Sequence, residues 1–115
     1  QGSLFHPSFA GVSLGLLHGS QPDAFIVCHE PTRTQMRGVE AALPSIGDVI
    51  EQTVQCGKLT NKNIHCIGIA LNTSNMKNNK SDIKKEISSQ YQLPCIDPIT
   101  DNLDPFIDLL EKIND

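Results

Sequence analysis

The side chains best suited to acid–base chemistry are an adjacent imidazole and carboxylate, those of His29 and Glu30. They directly follow Ala24 to Cys28, a short apolar run that predicts a buried strand. A carboxylate beside an imidazole can set its tautomer and its pKa, so we predict that both residues are catalytic. Adjacent residues in a strand point to opposite faces, so their side chains need not touch.

Polar side chains also follow two further apolar runs. The run from Ile64 to Leu71 predicts a fully buried strand with Asn72 and Thr73 just beyond it, and a third strand, Leu93 to Ile96, is followed by Asp97. Open α/β sheets bind ligands beyond the carboxyl ends of their strands. We therefore predict that Asn72, Thr73 and Asp97 bind a cofactor, although a turn-forming asparagine is an equal alternative at position 72.

Four more candidates lie in loops. His6, before Pro7, suits a general base or an orienting donor, and the alternative is a solvated loop histidine. Arg33 suits a phosphate or carboxylate of the substrate, and the alternative is an ordinary surface arginine. Gly2 and Ser3 would let the backbone approach a phosphate or acyl group of a cofactor, and the alternative is a flexible terminus.

Two further candidates stand where the first predicted helix, from Ser8 to His18, ends. His18 and Ser20 are candidate substrate-binding residues, and the alternative is a helix terminus with the imidazole favourably placed on the helix dipole. The histidines and the four cysteines do not fall at paired metal-ligand spacings, so no metal site is expected. We expect the cysteines to be reduced thiols, three of them inside buried strands.

The remaining elements alternate with the strands. Ser45 and Asp48 predict a second, capped helix that Gly57 ends, a third helix is expected from Ser81 to Tyr91, and Asp104 is expected to cap the last helix. Strands joined by helices predict an α/β fold with a parallel sheet and helices on both faces. Its three strand ends would then meet at one edge.

Length and charge limit the class of protein. The chain has 115 residues, enough for a single domain. Its net charge of −4 comes without any basic cluster, which makes nucleic acid an unexpected partner. No secretory signal is seen, and the apolar stretch Phe9 to Leu17 is far shorter than the ~20 residues of a membrane span. We expect a cytoplasmic protein that acts on a small molecule without contacting a membrane.

Several segments in fixed order resemble a known family. They are QGSL followed by His6 and Pro7, then GLLHGSQPD, CHEPTR, GIALNTS and LPCIDPITD. Together they resemble the carboxyl-terminal P-loop domain of a bacterial and archaeal family once described as NAD-dependent epimerases, whose members act as D-glutamate (D-amino acid) N-acetyltransferases. The resemblance implies a P-loop NTPase-like fold of the dethiobiotin-synthase type, in which Gly2 and Ser3 belong to a glycine loop and Asn72 and Asp97 lie near a base.

The resemblance also implies a ligand, either acetyl-CoA or ATP with Mg²⁺, and transfer of an acetyl group to a D-amino acid such as D-glutamate. One feature departs from the P-loop pattern, because G-x-x-x-x-G-K-[ST] does not occur in this sequence. We therefore expect a homo-oligomer or a missing amino-terminal half to complete the domain. An ATP-dependent ligase or kinase-like enzyme and a non-catalytic binding or oligomerisation domain stay open as alternatives.

Overall fold

The computed structural model describes residues 3–114 and contains eight elements in this range. In chain order they are a short 3₁₀ helix η1 (Ser3–Phe5), α1 (Ala10–Ser20), β1 (Ala24–His29), α2 (Ile46–Gly57), β2 (His65–Leu71), α3 (Lys80–Tyr91), β3 (Cys95–Ile96) and α4 (Asp104–Asn114).

The three strands form one parallel sheet in the order β1, β2, β3. β2 and β3 pair in parallel with Ile69 opposite Cys95. The backbone N–H of His65 donates to Asp23 O, and that of Asn72 donates to His29 O, each at 2.9 Å. From the first of these bonds to the second, the residue numbers rise along both β1 and β2. These two strands are therefore parallel as well. The prediction of an α/β fold with a parallel sheet flanked by helices is confirmed.

The chain packs as two compact units. The first contains the residues up to Phe25 and Arg33–Cys66, and the second contains Ile26–Thr32 and the residues from Ile67 onward. Each unit has its own helices and its own set of predicted site residues. The prediction of a single domain stays a prediction.

In the first unit, α1 and α2 pack together with η1. α2 begins as predicted, because the Ser45 hydroxyl accepts a hydrogen bond from Asp48 N at 3.0 Å. α1 differs from the prediction at both ends, beginning at Ala10 and running through Gly19 to Ser20. Gln21 takes the left-handed conformation that ends α1, with φ of 48°, so the helix extends two residues past its predicted end at His18.

The long connection between β1 and α2 is ordered by backbone pairing within residues 34–43. Met36 N donates to Ala41 O at 2.8 Å, Leu43 N donates to Thr34 O at 3.2 Å, and an antiparallel bridge joins residues 35 and 42. Met36, which belongs to this loop, has a buried side chain. A segment that showed no periodicity therefore has an internal scaffold and an apolar anchor.

The second unit is built around the fully buried part of β2. Ile69 and Leu71 have no exposed surface. Gly68 lies against α4, and a Cβ atom at this position would overlap the ring of Phe106. Helix α4 therefore packs closely on β2 at Gly68.

Two details of the strands and helices correct the sequence analysis. β1 is an edge strand with an exposed face, where Ile26 and Cys28 reach the surface while Val27 is buried, so it is not buried throughout as expected. α4 begins at Asp104, which is therefore its first residue and not its cap; the Asn102 side chain accepts from Asp104 N at 2.9 Å.

The cysteines are all free thiols, as expected, with Cys95 the most buried. Burial raises the pKa of the Cys95 thiol to about 11, which keeps this thiol protonated at neutral pH. Among the described residues, no helix has the length and apolarity required to cross a bilayer.

Candidate functional site

Six polar residues of the second unit lie at the carboxyl ends of the strands, and we call them the carboxyl-edge cluster. They are His29, the last residue of β1, Glu30 after it, Asn72, Thr73 and Asn75 after β2, and Asp97 after β3. The sequence analysis named all of them except Asn75. The strands are parallel, so their carboxyl ends lie at one edge of the sheet, and hydrogen bonds join the three ends.

The Asp97 carboxylate is the structural centre of this cluster. Thr73 Oγ1 donates to Asp97 Oδ2 at 2.5 Å, and Thr73 N donates to the same oxygen at 3.3 Å. The other oxygen, Oδ1, accepts from Ile99 N at 2.9 Å. Both Thr73 and Asp97 are buried, with 2% and 4% of their surface exposed. The Thr73 hydroxyl, followed by the backbone donors, lowers the pKa of Asp97, so this buried residue is a carboxylate.

A second aspartate braces the loop that follows β3. Asp101 Oδ2 accepts from Asp97 N and from Lys84 Nζ, both at 2.8 Å. The Lys84 ammonium, followed by Asp97 N, lowers the pKa of Asp101. This mostly buried ion pair connects α3 to the loop that carries Asp97. The loop that carries Asp97 is therefore held in position by contacts within the protein.

The Glu30 carboxylate connects β1 to the loop after β2. Its Oε1 atom accepts from Asn75 Nδ2 at 2.7 Å and from Thr32 Oγ1 at 3.1 Å. Asn75 was missed because it lies in an Asn- and Lys-rich stretch that indicates only a solvated loop, and no local pattern marks a contact 45 residues away. The result is a carboxylate with a fixed position at the end of β1.

Asn72 adopts the turn that was its alternative interpretation. Its Oδ1 atom accepts from Ser74 N at 3.1 Å and from Ser74 Oγ at 2.6 Å. Within the described part of the chain, its Nδ2 atom makes no hydrogen bond, and the residue is exposed. A bidentate contact to a base would therefore have to share Oδ1 with the turn.

His29 is half-buried at the end of β1. Burial lowers its pKa, opposed by the negative charge of Glu30. The balance of these effects favours the neutral imidazole at neutral pH, the form that can accept a proton. This electrostatic environment is suited to the acid–base role predicted for His29.

His6 belongs to the first unit and is buried, in contrast to the solvated alternative. Its Nε2 atom lies 2.9 Å from Arg37 O, and its Nδ1 atom accepts from Ser8 N at 3.1 Å. A carbonyl can only accept and an amide N–H can only donate, so the ring carries its proton on Nε2. Both nitrogens thus make structural contacts, one to the 34–43 loop and one to the backbone just before α1, and a catalytic role for His6 stays a prediction.

The other predicted residues of the first unit are placed as follows. His18 Nε2 donates to Cys56 O at 2.8 Å and so joins α1 to the end of α2, a structural contact. Ser20 is the exposed last residue of α1, and Arg33 is exposed in the loop after β1. Ser3 begins η1, whereas Gly2 lies outside the described residues. Substrate or cofactor binding by these residues stays a prediction.

No group of three or more potential metal-ligating side chains occurs among residues 3–114. The carboxyl-edge cluster is a set of hydrogen-bonding and acid–base groups at the edge of a parallel sheet. Open α/β sheets bind ligands beyond this edge, so the cluster lies where such a fold would bind a small molecule.

The chain belongs to the DUF1611 family. The family model "Domain of unknown function (DUF1611_C) P-loop domain" matches residues 1–107. A crystal structure of a DUF1611 family protein from Anabaena variabilis superposes with a TM-score of 0.85 at 25% sequence identity, over 97% of this chain and 34% of that one. These matches confirm both the family resemblance and the fold class.

Two curated relatives carry a functional name. A D-glutamate N-acetyltransferase from a Pseudoalteromonas species is 47% identical over 109 residues, and one from Tritonibacter scottomollicae is 37% identical over 115 residues. The matches cover 93% and 98% of this chain but only 33% and 34% of the relatives. The chain thus spans about a third of the length of the curated relatives it matches.

Proposed function

We propose that this chain forms part of an N-acetyltransferase that transfers an acetyl group from acetyl-CoA to the amino group of D-glutamate or a related D-amino acid. The observation that carries the proposal is the 47% identity, over nearly the whole chain, to a protein named D-glutamate N-acetyltransferase. The carboxyl-edge cluster supports it by supplying a base of suitable protonation state.

His29 is the proposed general base. An amino acid reaches the enzyme as an ammonium ion, which cannot attack a carbonyl until it loses a proton. The imidazole accepts this proton more readily if it is neutral beforehand, and burial lowers the pKa of His29 in that direction. Glu30, fixed by Asn75 and Thr32, provides a carboxylate of defined position at the same strand end.

The proposed reaction balances as a simple acyl transfer. The amine nitrogen forms a bond to the acetyl carbonyl carbon and loses a second proton as it becomes an amide. The carbon–sulfur bond breaks, and the sulfur leaves as a thiolate that takes up one of the two protons lost by the nitrogen, while the other is released to solvent. Backbone N–H groups would stabilise the negative oxygen of the tetrahedral intermediate. The products are the N-acetyl amino acid and the free thiol, and no oxidant, reductant or metal ion is needed.

A nucleotide-dependent reaction is the second candidate, because the matching family model describes a P-loop domain. In that case the ligand is ATP with Mg²⁺, and the enzyme is a ligase or kinase-like protein. A phosphate cradle with its lysine would then have to come from outside this sequence. A homo-oligomer or an additional amino-terminal half is the corresponding proposal for how the domain is completed.

Calorimetry and product analysis separate the two candidates. Purified protein is titrated with acetyl-CoA and with ATP–Mg²⁺, and N-acetyl-D-glutamate is measured by mass spectrometry after incubation with acetyl-CoA and D-glutamate. Acetyl-CoA binding and product formation support acetyl transfer, and binding of ATP–Mg²⁺ alone supports the second candidate. If neither ligand binds, both proposals fail.

His29→Asn tests the base directly. We expect the acetyl-transfer rate to fall by about 10²- to 10⁴-fold, the usual contribution of a general base, with acetyl-CoA binding retained. His65→Asn is the matched control, since His65 is an exposed histidine at the opposite end of its strand. Because the base acts in its neutral form and its pKa is lowered, the wild-type rate should rise with pH and reach half of its maximum below the ordinary histidine value of pH 6.5. An unchanged rate in His29→Asn would assign the proton transfer to another group.

A further inference from the structure

A cavity of about 230 Å³ lies in the first unit, between η1, α1 and α2. Its walls include Leu4 and Phe5 from η1, Gly11 and Leu14 from α1, and Gln52 and Cys56 from α2. None of the predicted catalytic or binding residues of the sequence analysis lines it.

The walls of this cavity exclude charged ligands. Most of the lining surface is apolar, and no lining residue carries an ammonium, guanidinium or carboxylate group. Transfer of an unpaired phosphate or carboxylate into such a site is strongly unfavourable. D-Glutamate, with two carboxylates, and the phosphates of a nucleotide are therefore unsuitable occupants.

The size of the cavity points to one part of a longer ligand. Pockets for whole drug-sized molecules measure about 300 to 1,000 Å³, so this one is too small for a complete nucleotide cofactor. A flexible, uncharged chain with amide groups would fit the walls and the volume better. Gln52 would supply the polar contact, because it is exposed at the cavity and its carboxamide makes no hydrogen bond within the described part of the chain.

We propose that this cavity holds the uncharged pantetheine arm of an acyl-CoA donor, with Gln52 hydrogen-bonded to one of its amides. The proposal rests on the proposed function, which requires an acyl donor with such an arm. Apolar walls beside Leu4 and Leu14 would contact the methylene groups, and the amide group of Gln52 can both donate to and accept from a ligand amide. The charged end of the donor would lie outside this cavity.

Two glycines of α1 provide a matched pair of variants. At both Gly11 and Gly15, a Cβ atom would meet no other atom within 4 Å, so the first atom of a side chain has space at either position. Only Gly11 lines the cavity. Gly11→Leu therefore places a large side chain at the cavity wall, whereas Gly15→Leu makes the same chemical change one turn away. Both exchanges also raise helix propensity, so neither should unfold α1.

The ligand for the test is S-ethylpantetheine, a thioether with no phosphate and no free thiol. By calorimetry we expect it to bind wild-type protein and Gly15→Leu equally, and to bind Gly11→Leu at least about tenfold more weakly. Circular dichroism confirms that each variant is folded. Absence of binding to the wild type, or equal binding to Gly11→Leu, overturns the proposal.

Alkylation of the cysteines gives a second measurement that needs no variant. Cys56 lines the cavity and is half-buried, while Cys28 is exposed on β1. Saturating S-ethylpantetheine should slow the reaction of Cys56 with iodoacetamide several-fold and leave that of Cys28 unchanged, as measured by peptide mass spectrometry. Equal rates with and without the ligand at Cys56 contradict the proposed site. Binding of S-ethylpantetheine without acetyl transfer to D-glutamate would refute the proposed function alone and leave the cavity assignment standing.

Discussion

Replacement of Thr73 by valine removes one hydroxyl from the interior of the carboxyl-edge cluster with little change in shape. The hydroxyl donates to the buried Asp97 carboxylate at 2.5 Å, and it is the main reason that the pKa of Asp97 is lowered. Removing a donor from a buried acceptor lowers the free energy of unfolding by about 1 to 3 kcal/mol, and by more if the acceptor is charged. Because Asp97 keeps its bonds to Thr73 N and Ile99 N, we expect Thr73→Val to lower the free energy of unfolding by about 2 kcal/mol at pH 7.

The pH dependence separates this charge-assisted bond from a simple packing effect. The folded-state pKa of Asp97 lies below the ordinary value of 3.8, so its stabilisation is complete well above pH 3.8 and is lost as the pH falls through the folded-state value. The stability gap between wild type and Thr73→Val should therefore narrow below about pH 4 in urea unfolding. Thr73→Ser, which keeps the hydroxyl, should retain the pH dependence. A difference in the free energy of unfolding between wild type and Thr73→Val that stays constant from pH 7 to pH 3 would refute the reasoning. So would a difference below about 0.5 kcal/mol at pH 7, which is the usual effect of a neutral surface exchange.

Three further changes test the packing and the bonds around the site by the same urea assay. Gly68→Ala should cost about 1 to 3 kcal/mol, because its methyl group overlaps a buried ring of α4, while Gly19→Ala, in open space, should not destabilise; equal effects would contradict the close packing. Ser45→Ala removes the α2 cap and should cost about 1 kcal/mol, and an unchanged midpoint would exclude a capping role. Lys84→Met breaks the ion pair with Asp101 and should cost up to about 1 kcal/mol at pH 7, less at acid pH where Asp101 is protonated, whereas Lys85→Met, its neighbour, should have no effect.

The direction of the strands and the location of their polar ends could be predicted from the sequence because both depend on local patterns. The buried run that ends at Leu71 shows β2 directly, and Asn72 and Thr73 must then stand at its carboxyl end. The capped start of α2 was equally visible, since Ser45 and Asp48 are three residues apart. The limits of these elements were less certain, as the extension of α1 through Gly19 shows.

The partners of the polar groups could not be predicted, since they depend on contacts between distant parts of the chain. Asn75 and Glu30 are 45 residues apart, and His6 is bonded to a carbonyl 31 residues away. An isolated histidine in a loop gives no sign of burial in the sequence. The sequence also gives no sign of the contacts of Asp101, whose side chain accepts hydrogen bonds from both Asp97 N and the Lys84 ammonium.

Several of the predicted site residues use their polar atoms for hydrogen bonds within the protein. The oxygens of Asp97 and the hydroxyl of Thr73 are used to bind each other and the backbone, which suits a support for the site more than a ligand contact. Glu30 is similarly anchored by Asn75. For His29, burial lowers the pKa and so favours the neutral form that a base requires. Acid–base chemistry at this edge is therefore expected to depend on His29, with its neighbours providing the rigidity that fixes its position.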